Sequence, residues 1–416
     1  MIDVIGTDAG APGSLPPALQ SLTRQAHLIA APKRLLPALE QWLGPEFSGR
    51  CLASDDPLSL CAALTAVPSQ QPAVVLASGD PLWFGIGRIL VERLGGERLR
   101  FHPAPSSLQL AFARLGRPWQ DTQWISLHGR DPAPLAALLQ KRPASLAVLT
   151  DPSGGGVDDV RRMLSSSGLE TAYQLWLCEA LGHPRERVQQ LRPSDPTPSD
   201  LQSLHLVLLL AHPPSAPDPR ALPLFGLNDG DYLQHEDRPG LMTKREVRIQ
   251  LLADLALPER GVLWDLGAGT GSVGLEALRL RPQLQLMAIE RRSGGGALIR
   301  ANAQRLGVEP AIVQEGDALT LLAQLPDPDR VLLGGGGRQR AALLKAVIAR
   351  LRPGGVVVIP LATVEAVAEL RTVLEQAGLQ LQISQQQTWR GQPLAEGTRL
   401  APMNPVLILK GTKAQP

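Results

Sequence analysis

The stretch that most limits what this chain can fold into is Val262-Leu263-Trp264-Asp265-Leu266-Gly267-Ala268-Gly269-Thr270-Gly271-Ser272-Val273-Gly274. An apolar run closes on an acid, glycines alternate at 267, 269 and 271, and a helical pattern follows. That order reads as a strand, a tight turn and a helix N-terminus, which lets a ligand lie directly against backbone. Further acids stand where the next two apolar segments end, Glu290 after 284–289 and Asp317 after 311–313. The C-terminal ends of parallel strands open onto one crevice, so these groups are expected to converge. The acid placed ahead of the glycines favours S-adenosylmethionine over a dinucleotide. Glu290 would accept from ribose hydroxyls and Asp317 from the adenine amine. Gly269-x-Gly271-x-x-Gly274 also satisfies the dinucleotide pattern, which is weak by itself.

Strand and helix signals alternate around this stretch. Strands are expected at 262–265, 284–290, 311–313, 330–333 and 355–360, with helices starting at 273 and spanning 297–306, 343–351 and 364–377. Leu379, Leu381 and Ile383 alternate with polar residues, and 406–410 is apolar. These two segments predict an antiparallel hairpin at the sheet edge. The fold class is therefore α/β, with a doubly wound parallel sheet in this half. Gly334, Gly335, Gly336 and Gly337 follow the strand at 330–333 and would keep backbone open to a bulky, flat substrate.

The first half also alternates, with strands expected at 2–5, 28–30, 73–77, 99–102, 124–127, 146–149, 173–177 and 204–210. Its glycine-bearing turns carry Gly6, then Gly79 and Asp80, and a seam at 103–107 carries Ser106 and Ser107. The proline-rich 212–220 stretch must be extended. It sets the domains at 1–212, with lobes of about 1–103 and 104–212, a linker at 213–223, and 224–416.

Composition excludes several classes. A formal net charge of +2 gives no global attraction to nucleic acid or anionic lipid. No apolar stretch reaches the roughly 18 residues of a spanning helix. Three cysteines without a CxxC pattern argue against a disulfide framework and a zinc site, so no metal is expected. Met1-Ile2-Asp3-Val4-Ile5-Gly6 lacks the pattern of a secretory signal, so the expected location is cytoplasmic. No cysteine or His-Asp pair near the glycine run suggests a nucleophile, and the residues name no catalytic group. Trp83 and Phe84 read as core aromatics rather than a platform for a flat ring.

Five stretches carry a family likeness. Ile5-Gly6-Thr7-Asp8-Ala9-Gly10, Ser78-Gly79-Asp80-Pro81-Leu82-Trp83-Phe84-Gly85 and Leu115-Gly116-x-Pro118-Trp119-x-Asp121 resemble the tetrapyrrole methylases of corrin synthesis, in the branch that methylates C5 of the macrocycle. Gly240-Leu241-Met242-Thr243-Lys244-Arg245-Glu246-Val247-Arg248 and the stretch around Asp265 resemble the class I methyltransferase branch that methylates C15 and removes the C12 acetate carboxylate. The order of the two halves resembles the fused C5,15-methyltransferase (decarboxylating) family of cobalamin synthesis.

The resemblance implies a two-lobed N-terminal methylase fold joined to a class I fold, S-adenosylmethionine in both halves, a precorrin substrate and a homo-oligomer. It implies donor contacts at Gly6, Gly79, Asp80, Ser106 and Ser107, and at Asp265, Gly267, Gly269, Gly271, Glu290 and Asp317. A carboxylate-rich macrocycle would call on Thr243, Lys244, Arg245, Arg248, Gly335, Gly336 and Arg338, and on Arg88, Arg114 and Arg130 in the first half. The residues alone leave two other readings. One is an RNA or protein methyltransferase with an inert N-terminal half; the other is a non-catalytic tetrapyrrole-binding scaffold.

Overall fold

A computed structural model describes residues 1–8, 12–68, 70–127, 133–150, 155–192, 195–213, 216–235, 237–335, 337–394 and 397–415. The chain divides into two compact units. One comprises Met1–His128, Ser145–Val157 and Leu175–Leu210; the other comprises Gly129–Ala144, Asp158–Gln174 and Ala211–Pro416. The second unit thus takes in the helix Ala133–Gln140 and most of the helix Gly156–Ser166, which precede the proline-rich stretch in sequence.

The first half builds two five-stranded sheets. One is parallel, ordered Arg50–Ala53, Leu28–Ala31, Ala73–Ser78, Ile2–Thr7, Leu99–His102. Its central strands are buried on both faces, as a sheet covered on both sides requires. The other is mixed, ordered Gln123–Ser126, Ser145–Leu149, His205–Ala211, Tyr173–Glu179, Arg187–Leu191. Arg50–Ala53 and Arg187–Leu191 were not expected from the sequence. Both are edge strands with mostly half-exposed residues, so neither carries a strong apolar period.

The second unit carries a seven-stranded sheet ordered Ile312–Glu315, Gln283–Glu290, Arg260–Leu266, Arg330–Leu333, Val356–Leu361, Val406–Thr412, Gln380–Gln386. The first five strands are parallel; the last two are antiparallel to their neighbours. Strand period two sorts the core. Val262, Trp264 and Leu266 face one cluster under the helices Arg340–Arg350 and Val364–Gln376. Leu263 faces the other, under Arg245–Asp254, Ser272–Leu280 and Gly295–Leu306.

The expected terminal pair exists, with one correction. Val406–Thr412 inserts between Val356–Leu361 and Gln380–Gln386, so only the latter forms the edge. A separate two-stranded ribbon, Trp389–Leu394 with Gly397–Pro402, links them and was not foreseen. The helix Arg245–Asp254 was also missed, because its inward face includes an arginine. Among the described residues no helix is long and apolar enough to cross a membrane.

Candidate methyl-donor and acceptor site

The strand Arg260–Leu266 ends in a turn built by three left-handed glycines. Gly267, Gly269 and Gly271 have φ of 79°, 59° and 78°. Only glycine adopts this region without steric cost. The amides of Gly267 and Ala268 both donate to the Ile289 carbonyl, at 2.8 and 3.0 Å. Gly271 then caps the helix Ser272–Leu280. A Cβ on Gly267 would lie 2.8 Å from the Cα and N of Gly335. The two glycine-bearing strand ends therefore touch backbone to backbone.

Asp265 is buried beneath that turn, 2% exposed, and its Oδ2 accepts from the Gly274 amide at 3.1 Å. A Cβ on Gly274 would meet the same oxygen at 2.8 Å, so glycine there lets the helix approach the acid. Burial, with the Glu290 charge adding to it and the Gly274 amide opposing, pushes the Asp265 carboxyl up to about 7. Glu290 closes the next strand. Its Oε2 accepts from Gly269 N at 2.7 Å and its Oε1 from Arg292 N at 2.8 Å. A Cβ on Gly295 would stand 2.4 Å from Glu290 Cγ, which explains the glycine at that position. Asp317 caps the short helix Ala318–Leu321 through Leu319 N at 2.9 Å.

These groups line one cavity of about 600 Å³. Asp265, Gly267, Gly269, Glu290, Asp317, Thr243, Lys244 and Gly335 all face it; Gly271 forms the turn behind Thr270. Two lining groups were not singled out from the sequence. Thr270 Oγ1 and His235 Nε2 are buried and have no hydrogen-bond partner among the described residues. An unpaired buried polar atom costs free energy until a ligand satisfies it. Thr270 lay inside the quoted motif; nothing in the sequence marked His235.

Two basic residues expected at the substrate, Arg248 and Arg245, are placed elsewhere, and a third, Arg338, stands at the cavity's edge. Arg248 is fully buried. It donates to Asp229 Oδ1 at 2.7 Å, to Glu276 Oε1 at 2.9 Å, and to the carbonyls of Thr243 and Leu227. Four of the five N–H donors of its guanidinium are thereby engaged inside the protein, and the residue does not line the cavity. Arg245 donates to the Gly226 carbonyl at 2.6 Å and does not line the cavity. Arg338 is exposed beside the lining residues Gly337 and Gln339. Gly336 and Arg130 lie outside the described residues.

In the first unit, Gly6, Gly79 and the 104–107 segment come together. A Cβ on Gly6 would meet the Gly79 carbonyl at 2.3 Å and Ala104 N at 2.6 Å. Gly79, with φ 65°, packs on Ser106 Cα. Ser106 caps the helix Ser107–Arg114 in a reciprocal box with Gln109, and Asp80 Oδ1 accepts from Leu82 N at 2.9 Å. Ser107 opens that helix. Arg88 is exposed and faces Glu92 one helical turn on, and Arg114 grips Glu186, so neither is positioned as an open anion clamp. Trp83 packs partly on the core, but Phe84 is 43% exposed at φ 52°, contrary to its reading as core.

Comparison with known proteins places both halves. Residues 1–194 match the family model of tetrapyrrole (corrin/porphyrin) methylases, and residues 234–413 match that of a precorrin methyltransferase domain. A precorrin-6Y C(5,15)-methyltransferase [decarboxylating] of Sinorhizobium sp is 38% identical over 294 residues, covering 68% of this chain and 67% of that protein. The chain belongs to the precorrin-6Y C5,15-methyltransferase (decarboxylating) family. A member from Mycobacterium tuberculosis (strain CDC 1551 / Oshkosh) is 29% identical over 431 residues, covering 99% of this chain and all of the relative. A probable cobalt-precorrin-6B C(15)-methyltransferase (decarboxylating) of Pyrobaculum aerophilum is 37% identical over 186 residues, covering 44% of this chain and 94% of its own.

Enzymes of the precorrin-6Y C5,15-methyltransferase family take their methyl group from S-adenosylmethionine. The residues present fit that donor. The left-handed glycine turn leaves open space above Gly269, where a Cβ would meet nothing within 4 Å. Glu290, Thr270 and His235 supply acceptor and donor atoms beside it.

Proposed function

We propose that the chain methylates a precorrin macrocycle at C5 and C15 and releases the C12 acetate carboxylate as CO2, giving a precorrin-8 in the corrin branch of cobalamin synthesis. The single observation that carries this reading is the cavity above the Asp265–Gly271 turn. It joins a donor cradle to an apolar wall in a chain whose two halves match two methylase families. The first half, up to the proline-rich 213–223 stretch, would act at C5, and 224–416 would act at C15 and decarboxylate.

When bound, S-adenosylmethionine supplies an electrophilic methyl group. The electron-rich ring carbon is the nucleophile, so the protein's task is to hold the reacting atoms together. Glu290 would accept from the donor's ribose, Asp317 would sit near its base, and Gly267 with Gly335 would keep the backbone low under the acceptor. Asp265 would act from beneath by fixing the turn. Gly6, Gly79, Asp80, Ser106 and Ser107 would serve the same purpose in the first unit. Thr243 and Lys244 would meet the macrocycle. A cytoplasmic homo-oligomer completes the reading.

The full chain, incubated with precorrin-6Y and labelled donor, is expected to add two methyl groups and lose one CO2 by mass. In Asp265→Ala the C15 methyl is expected to disappear while the C5 methyl persists. A wild-type chain that leaves the macrocycle unchanged overturns the reading.

A further inference from the structure

Loss of a carboxylate from a side chain leaves an electron pair on carbon, and something must bring a proton to it. Most titratable groups lining the cavity are committed to other work. Arginines 291 and 292 do not release protons near neutrality. Both Glu290 oxygens are held by backbone amides, and Asp265 lies under the turn against Gly274. Glu246 is gripped by Arg390 through both of its oxygens, at 3.0 and 2.7 Å. Asp317 caps its helix, and His235 sits beside Gly295 and hence Glu290, on the donor side.

Lys244 differs from all of these. Its half-buried side chain lines the cavity, and its Nζ donates to one partner, the Gly240 carbonyl at 3.0 Å. An ammonium has three donors, so two point elsewhere. The cavity it lines also carries the apolar side chains of Leu241, Met242, Val247, Leu361 and Met403. The lysine is also held in place. Arg248 fixes the carbonyl of the preceding Thr243 at 2.6 Å, and Arg248 is itself anchored by Asp229 and Glu276.

We propose that Lys244 is the acid that protonates the carbon left when the acetate side chain loses its carboxylate. This rests on the function proposed above. The bond between the methylene carbon and the carboxylate breaks, and CO2 departs without the electron pair. The pair stays on the methylene carbon, shared with the conjugated ring. A C–H bond then forms as one N–H bond of the ammonium breaks, which traps the carbon before CO2 can recombine with it, so net CO2 release depends on the acid. The neutral amine recovers its proton from water. Burial makes the ammonium easier to deprotonate. The nearby cations Arg390, Arg142 and Arg248 act in the same direction, and Asp229 opposes them.

The test uses the full chain with precorrin-6Y and donor, reading CO2 release. Lys244→Arg keeps the positive charge but not a labile proton. CO2 release is expected to fall by about 100-fold, and the loss of rate at alkaline pH expected of the wild type should vanish. In Lys244→Met, methylammonium is expected to restore CO2 release while tetramethylammonium, a cation without a proton, does not. Lys244→Arg decarboxylating at the wild-type rate, or equal rescue by both cations, overturns the proposal while leaving the proposed function standing. A wild type that neither methylates nor decarboxylates overturns both.

Discussion

Two glycines in the same turn should respond very differently to one methyl group. Gly267 and Gly269 share a left-handed backbone, so alanine at either incurs about 1–2 kcal/mol of conformational cost. At 269 that is the whole effect on the free protein, since a Cβ there meets nothing within 4 Å. At 267 the Cβ would fall 2.8 Å from the Cα and N of Gly335 and 3.2 Å from the carbonyl carbon of Gly334. Those are backbone atoms of a neighbouring strand end, which a rotamer change cannot move. Forcing extra volume into such a contact adds about 1–3 kcal/mol. The expected totals are therefore about 2–5 kcal/mol for Gly267→Ala and about 1–2 kcal/mol for Gly269→Ala. Hydrogen exchange by mass spectrometry reads the local opening of the turn, because the amides at 267 and 268 are both bonded to Ile289. Exchange should quicken by about 30- to 5000-fold in the first variant and about 5- to 30-fold in the second. Equal acceleration in the two would show that the contact with Gly335 does not constrain the turn.

Other outcomes follow from the same geometry. The Asp265 carboxyl holds its proton to about 7 when folded, against an ordinary 3.9 when unfolded, so its contribution to stability is full below pH 4 and lost as pH rises through 7. That amounts to about 4 kcal/mol, and thermal unfolding of Asp265→Asn between pH 5 and 8 should lack this slope; an unchanged slope would contradict the assignment. Arg248→Met leaves Glu276 and Asp229 buried with weakened partners, and urea unfolding should show a loss of about 3–5 kcal/mol. A loss under about 1 kcal/mol would show that the network is not structural. Glu290→Gln should weaken calorimetric donor binding by about 10- to 100-fold, since charge-assisted hydrogen bonds are worth about 1.5–3 kcal/mol. An unchanged dissociation constant would remove Glu290 from the donor site.

The donor end of the site was legible because its signals are local. A strand that ends in an acid and a glycine turn that starts a helix are contiguous in sequence, so their geometry follows from the chain itself. Long-range pairing was not legible. Arg248 and Lys244 both read as substrate cations within one motif. What separates them is Asp229 and Glu276, which meet Arg248 only after folding. His235 carried no signal because its role depends on Gly295 and the cavity beside it. The edge strands Arg50–Ala53 and Arg187–Leu191 escaped for a related reason, since a sheet edge can be polar and still pair.

The same contrast explains why one short motif serves both stability and chemistry. Lys244 ends the segment that enters the helix Arg245–Asp254, and Arg248 follows one turn later on a buried face. A buried guanidinium needs several acceptors, and it finds two of them in the main-chain carbonyls of Thr243 and Leu227. By taking the Thr243 carbonyl, Arg248 sets the course of the chain at the next residue. The lysine is thereby presented to the cavity on a braced segment, not on a free loop. Exchanging the two side chains would preserve charge and composition, yet it would place a flexible ammonium where a fixed fork is needed and remove the labile proton from the cavity.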